Sequence, residues 1–134
     1  MKYTWDPEYS VEVKEIDKQH KKIFEILERL HVAIRDERTD EFITDIIEQL
    51  VSYSIYHFKT EEKYFDKFDY KYTKQHKAQH KGYKEELDKI VSTPNIDESE
   101  MATLLLKFVM KWVDNHFRVE DRKYIKCFHD HGLK

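Results

Sequence analysis

Eight histidines stand in a chain of 134 residues, and five of them fall into patterns that can hold metal. His57-Phe58-Lys59-Thr60-Glu61-Glu62 and His116-Phe117-Arg118-Val119-Glu120-Asp121 each set an imidazole about one helical turn before paired acids. His76-Lys77-Ala78-Gln79-His80 sets two imidazoles four residues apart, and His20 stands alone on an apolar stripe. Residues at i and i+4 share one helix face, close enough for both side chains to reach one ion. A single instance carries little, and His20 by itself reads as a satisfied core histidine. Five inward imidazoles at one level are different. Without metal they would need many buried hydrogen bonds, and neutral partners for them are scarce.

The donor set narrows the metal. Five imidazoles and at least two carboxylates exceed what one tetrahedral zinc takes, and there is no cysteine set. Two ions are needed, with carboxylates bridging them at a separation of roughly 3.5–4 Å and imidazoles terminating each. Two divalent ions with two carboxylates and a hydroxide leave a net charge of only +1 to bury. Nitrogen and oxygen donors rich in imidazole suit iron, although manganese, cobalt or zinc could be loaded in vitro. The acids stay ambiguous at this point. Glu61 follows His57 by four residues and shares its face, whereas Glu62 is rotated away. After His116 a regular helix favours Glu120, and Asp121 qualifies only where the helix loosens or ends just beyond His116.

The elements that must position these donors are legible in the apolar periodicity. Residues 1–13 lack it and read as an arm laid over the rest, anchored by Trp5. From Lys14 to Asp36, Ile16, His20, Ile23, Phe24, Leu27, Leu30 and Ile34 recur at helical spacing. Thr39 is a candidate N-cap for a second helix running to about Phe68, with Ser54, His57, Glu61 and Phe65 on its stripe. A third helix carries His76, His80, Tyr83, Leu87 and Ile90. After the loop at residues 92–96, Asp97 and Glu100 resemble a capping box opening a fourth helix, whose stripe is Met101, Leu105, Phe108, Trp112 and His116. A short terminal helix from about Arg118 to Phe128 closes near Gly132. Short connections between long amphipathic helices imply an all-α, up-down-up-down antiparallel four-helix bundle, with one domain over 1–134. In that topology His20, His57, the His76/His80 pair and His116 all fall at the same end.

Composition excludes several alternatives. Charged residues make up 38% of the chain and hydrophobic ones 40%, with two glycines and two prolines, which favours long helices with charged outer faces. A net charge of −3 with interspersed signs argues against nucleic acid or an anionic membrane as partner. The single cysteine, Cys127, excludes an internal disulfide framework, and no secretory or membrane-spanning run is visible, so a cytoplasmic protein is expected. His31 lies eleven residues beyond His20, about 16 Å further along the axis, too far to share its ion. Cys127, His129 and His131 read as a surface tail.

The pattern resembles the hemerythrins, most closely the single-domain bacterial ones, over essentially the whole chain. The matching residues are His20 in Ile16-Asp17-Lys18-Gln19-His20, His57-Phe58-x-x-Glu61-Glu62, His76-x-x-x-His80 and His116-Phe117-x-x-x-Asp121. The resemblance implies a di-iron centre with His76, His80 and His116 on one iron and His20 and His57 on the other. Glu61 and Asp121 would bridge them, which settles the ambiguity toward Asp121 and leaves Glu120 exposed. It also implies reversible binding of dioxygen at the iron with two histidines, where one position stays open. Ile23, Trp112, Val113 and Phe117 are then placed to line a dry oxygen pocket, although ordinary core would explain them as well. The expected function is an oxygen carrier or store, not an enzyme, with dioxygen and an unidentified recipient as partners. A sensory module acting through a separate partner, or a di-iron enzyme handling peroxide, nitric oxide or iron, are the alternatives.

Overall fold

The computed structural model describes residues 3–134; Met1 and Lys2, the start of the expected arm, lie outside the described residues. Four long helices form: α1 (Lys14–Arg35), α2 (Thr39–Lys67), α3 (Thr73–Val91) and α4 (Glu98–Asn115), followed by a short α5 (Ile125–Asp130). Helix α1 packs on α2 and α4, and α3 packs on the same two, closing a four-membered ring. Cross-helix partners run in opposite directions along the chain, as antiparallel neighbours must. Between α1 and α2, His20 meets His57 while Arg29 meets Asp45. Between α2 and α3, Ser54 meets Tyr83 while Asp66 meets Lys77. Among the described residues there is no strand, and the chain is the expected all-α bundle.

Apolar periodicity explains why these segments bury the faces they do. Ile23, Phe24, Leu27 and Leu30 of α1 join Ile43, Ile46 and Leu50 of α2 and Leu105, Val109 and Val113 of α4 in the main core. Each such side chain contributes roughly 1.5–3 kcal/mol on burial. A second, smaller cluster sits beyond the histidine level, where Val11, Val13 and Ile16 pack with Phe65, Tyr70, Tyr124 and Phe128. The arm is ordered here. A 3₁₀ turn at Pro7–Tyr9 is capped by Asp6, Tyr9 donates to Asp114 at 3.0 Å, and Trp5 packs on the core with the Lys21 ammonium 4.5 Å above its ring.

Several details differ from the sequence reading. Thr39 is the first residue of α2 instead of its cap; Arg38 holds the cap position without a side-chain cap bond and instead ion-pairs with Glu41. Asp97 does cap α4, but its side chain makes no cap bond and no capping box forms; Asp97 and Glu100 are both exposed, where water competes. The expected terminal helix is three pieces: a π-helical turn at His116–Glu120, a 3₁₀ turn at Asp121–Tyr124, and α5. The C-terminal residues are not a loose tail. Leu133 N–H returns to Phe128 O across Gly132 at φ 81°, a left-handed closure that favours glycine. His129 donates to Glu12 O and His131 to Cys127 O. His31 packs against Tyr3 with the rings tilted by 31°.

Candidate metal centre

Helix α1 supplies His20, α2 supplies His57 and Glu61, α3 supplies His76 and His80, and the end of α4 supplies His116. All six are at most 3% exposed, and Asp121 is wholly buried beside them. The π-helical turn is what brings Asp121 in. Its backbone N–H bonds to His116 O, five residues back, so the chain gains one residue per turn and Asp121 takes the inward position that a regular helix would give Glu120. Glu120 faces outward but is not exposed; it is half-buried and accepts from Gln79 at 3.1 Å and Lys123 at 3.0 Å.

The seven donors fall into two groups whose ligating atoms all lie within 4.8 Å of one another: His76, His80 and His116 with Glu61, and His20 and His57 with Glu61 and Asp121. Glu61 belongs to both. Asp121 also spans them, with Oδ2 at 3.1 Å from His20 Nε2 and Oδ1 at 2.9 Å from both His76 and His116 Nε2. Glu61 Oε1 lies 3.3 Å from His57 Nε2 and 3.1 Å from His80 Nε2.

These approaches are short, yet Glu61 Oε1, His80 Nε2 and both Asp121 carboxylate oxygens have no hydrogen-bond partner. The ligating atoms crowd together within 4.8 Å of one another. An unsatisfied buried polar atom costs about 1–3 kcal/mol, and several at one spot ask for a cation. The nitrogen spacings fit as well. His20 and His57 Nε2 are 3.2 Å apart and His76 and His116 Nε2 are 3.0 Å apart. Two donors each about 2.1 Å from one ion, at a right angle, would stand about 3.0 Å apart. The residues present fit a bound metal.

A further set of contacts orients the ligands, and most of it was not foreseen from sequence. His57 Nδ1 donates to Gln19 Oε1 at 2.8 Å, Gln19 Nε2 donates to Thr60, and Thr60 donates to Tyr56 O. His80 Nδ1 donates to Glu62 Oε2 at 2.7 Å, so the acid rotated away from the centre serves it from behind. Tyr124, fully buried, donates to Glu61 Oε2 at 2.6 Å. With the outer nitrogen donating, Nε2 of His57 and His80 keeps its lone pair for a metal. Aromatic rings cover the imidazoles: Phe117 lies 3.6 Å from His20 at 8°, Phe58 3.9 Å from His80 at 11°, and Trp112 3.9 Å from His116 at 17°. Of the expected pocket residues, Ile23, Val113 and Phe117 are buried in the core and Trp112 is half-buried against it.

Electrostatics agree with a cation site. Burial pushes the Asp121 carboxyl up, but His116, His20 and His76 hold it well below the usual carboxylate range. Burial and Asp121 push Glu61 up, and His57 and His80 bring it below that range. Burial lowers His116, and lowers His57 to about 3 against the pull of Glu61. His80 goes the other way: burial lowers it, but Glu61 and Glu62 together raise it to about 9. Burial and the Glu61 charge keep the Tyr124 phenol protonated.

Comparison with known proteins agrees with this arrangement. The Bacteriohemerythrin of Clostridium acetobutylicum is 29% identical over 127 residues, covering 92% of this chain and 98% of its own. That of Pseudomonas aeruginosa is 27% identical over 121 residues, covering 90% and 78%. A Hemerythrin-like protein of Naegleria gruberi is 24% identical over 122 residues, covering 91% and 90%. The family described as Hemerythrin HHE cation binding domain matches residues 11–128, which include all seven donors. The chain belongs to the hemerythrin family of non-haem iron-binding proteins, on its bacterial side.

Proposed function

We propose that this chain is a di-iron protein that binds dioxygen reversibly, as a carrier or store in the cytoplasm, and is not an enzyme. The observation that carries the reading is two buried donor groups that share Glu61 and are spanned by Asp121. On this reading His76, His80 and His116 would hold one iron and His20 and His57 the other, with Glu61 and Asp121, which lie between the two sets, able to serve both. The His20/His57 group offers fewer protein nitrogens than the His76/His80/His116 group, which would leave room there for an exogenous molecule. When bound, a ferrous pair supplies the electrons and the open position with which dioxygen is taken up and released. The protein's own part is orientation and exclusion. Gln19 and Glu62 fix the tautomers of His57 and His80, and Tyr124 holds Glu61. Phe117, Ile23 and Val113, all at most 4% exposed, keep water from the two-histidine side. Neutral imidazoles in place of further carboxylates favour binding over oxidation chemistry.

The test is metal analysis joined to absorption spectra of the reduced protein before air, after air and after degassing. Two irons per chain, with a charge-transfer band that appears with oxygen and disappears without it, are expected. Two irons that oxidise once and stay oxidised would move the assignment to a redox sensor or enzyme. No iron, or one zinc, would defeat it.

A further inference from the structure

Two cavities of about 730 and 1090 Å³ flank the N-terminal arm, and neither has any of the seven donors in its wall. The first lies between the arm, α1 and the start of α2. Its volume falls in the range of small-molecule sites, roughly 300–1,000 Å³. Phe24, Val32 and Ala33 of α1, with Phe42 and Ile46 of α2, give it an apolar wall. Helical spacing explains the α1 side: Lys21, Phe24, Glu25, Glu28 and Val32 recur every three or four residues and so share one face.

Trp5 and Lys21 stand together at one end of this cavity. Both line it, and the Lys21 ammonium lies 4.5 Å from the Trp5 ring centre. Each is a donor without an acceptor. Trp5 Nε1 is buried and has no hydrogen-bond partner among the described residues, although a buried indole N–H usually finds one. Other charges in the wall are engaged: Glu25 by Lys22, Arg29 by Asp45, Asp36 by Arg35 and Arg38 by Glu41. Among the described residues Lys21 has no such acid. The remaining unpaired charge of the wall, Glu28, stands seven residues after Lys21, about 10 Å further along the helix axis. An anion in the cavity is therefore attracted to the Trp5 end and repelled from the other.

We propose that this cavity binds an apolar monocarboxylate of the fatty-acid kind. One carboxylate oxygen accepts from the Trp5 indole N–H, and the other pairs with the Lys21 ammonium. The hydrocarbon body leaves water for the wall formed by Phe24, Val32, Ala33, Phe42 and Ile46. The site lies apart from the seven donors, so it stands or falls independently of the metal reading.

The experiment is calorimetric titration of the full chain with decanoate, below the concentration at which it forms micelles. One decanoate per chain is expected, with methyl decanoate and decyltrimethylammonium at least tenfold weaker. Lys21→Met is expected to weaken decanoate about tenfold and Trp5→Phe about fivefold. Lys21 is exposed, so its substitution leaves the core intact. Lys89→Met, the same change on an exposed site of α3, should bind as the parent does. A second reading places the ligand: the Trp5 indole N–H resonance, identified by its loss in Trp5→Phe, should move on adding decanoate. No binding, equal binding of methyl decanoate or decyltrimethylammonium, parent affinity in Lys21→Met, or an unmoved Trp5 resonance each overturns the proposal. Iron content measured on the same samples tests the metal reading separately.

Discussion

His80 has a carboxylate neighbour on each ring nitrogen, Glu62 on Nδ1 and Glu61 near Nε2, and this sets the proton balance of metal loading. With its pKa raised to about 9, metal-free His80 carries a proton at pH 7, whereas His57, at about 3, is already neutral there. A metal takes only the neutral imidazole. Loading at pH 7 is therefore expected to release about one proton per chain from this position, and apparent affinity to fall about tenfold per pH unit below that pKa. Titration calorimetry in buffers of different ionisation enthalpy reads the proton count, and zero would remove His80 from that role. Glu62→Ala keeps all seven donors but frees the His80 ring, and is expected to weaken metal affinity about 10–100-fold in competition with a chelator. Trp112→Ala opens the wall over His116. Iron content should stay at the parent value while autoxidation, followed by absorption after aeration, accelerates; an unchanged rate would show that the indole excludes nothing.

At the scale of elements, the π-helical turn decides which acid faces the other buried donors. Asp121→Asn should lose iron, measured per chain by elemental analysis, while Glu120→Gln should keep it. The reverse result would mean that a regular helix prevails in the metal-bound protein. This turn also marks where sequence reading stops. The imidazole positions were legible because periodicity places a residue on a helix face wherever the helix is regular. Choosing Asp121 over Glu120 from the residues alone was not possible, since a π turn has no compositional sign in His116-Phe117-Arg118-Val119-Glu120. Gln19, Glu62 and Tyr124 were missed for another reason: each acts on a residue of another helix, 38, 18 and 63 positions away in the chain. The absent side-chain caps at Thr39 and Asp97 show the converse, a local motif present in sequence but outcompeted by an ion pair or by water.

For the whole molecule, the candidate centre is also a structural element. Five imidazoles and two carboxylates fill the space between four helices, where an apolar core would otherwise stand. A ligand at a thousandfold its dissociation constant stabilises the folded state by about 4 kcal/mol. Removing the metal with a chelator is therefore expected to lower the midpoint of thermal unfolding by roughly 10–20 °C, given several degrees per kcal/mol for a domain of this size. An unchanged midpoint would show that the apoprotein satisfies its buried donors by other means.

The arm and the last helix meet over the histidine end of the bundle. Arg122 donates to Ser10 O at 2.7 Å, His129 donates to Glu12 O, and Val11 and Val13 pack with Tyr124 and Phe128. These contacts join the arm to the segment that follows α4, across 112 and 117 positions. During synthesis the arm precedes these partners, and all four long helices, which end at Asn115, lie between them in the chain. The cover over the centre cannot close until the chain is complete through Phe128. Until then Asp121 and Tyr124 are missing from the site, so iron delivered to a nascent chain would find an incomplete and open set of ligands. Metal insertion is thus expected to follow synthesis through Phe128, when the arm meets α5 and closes this side of the site.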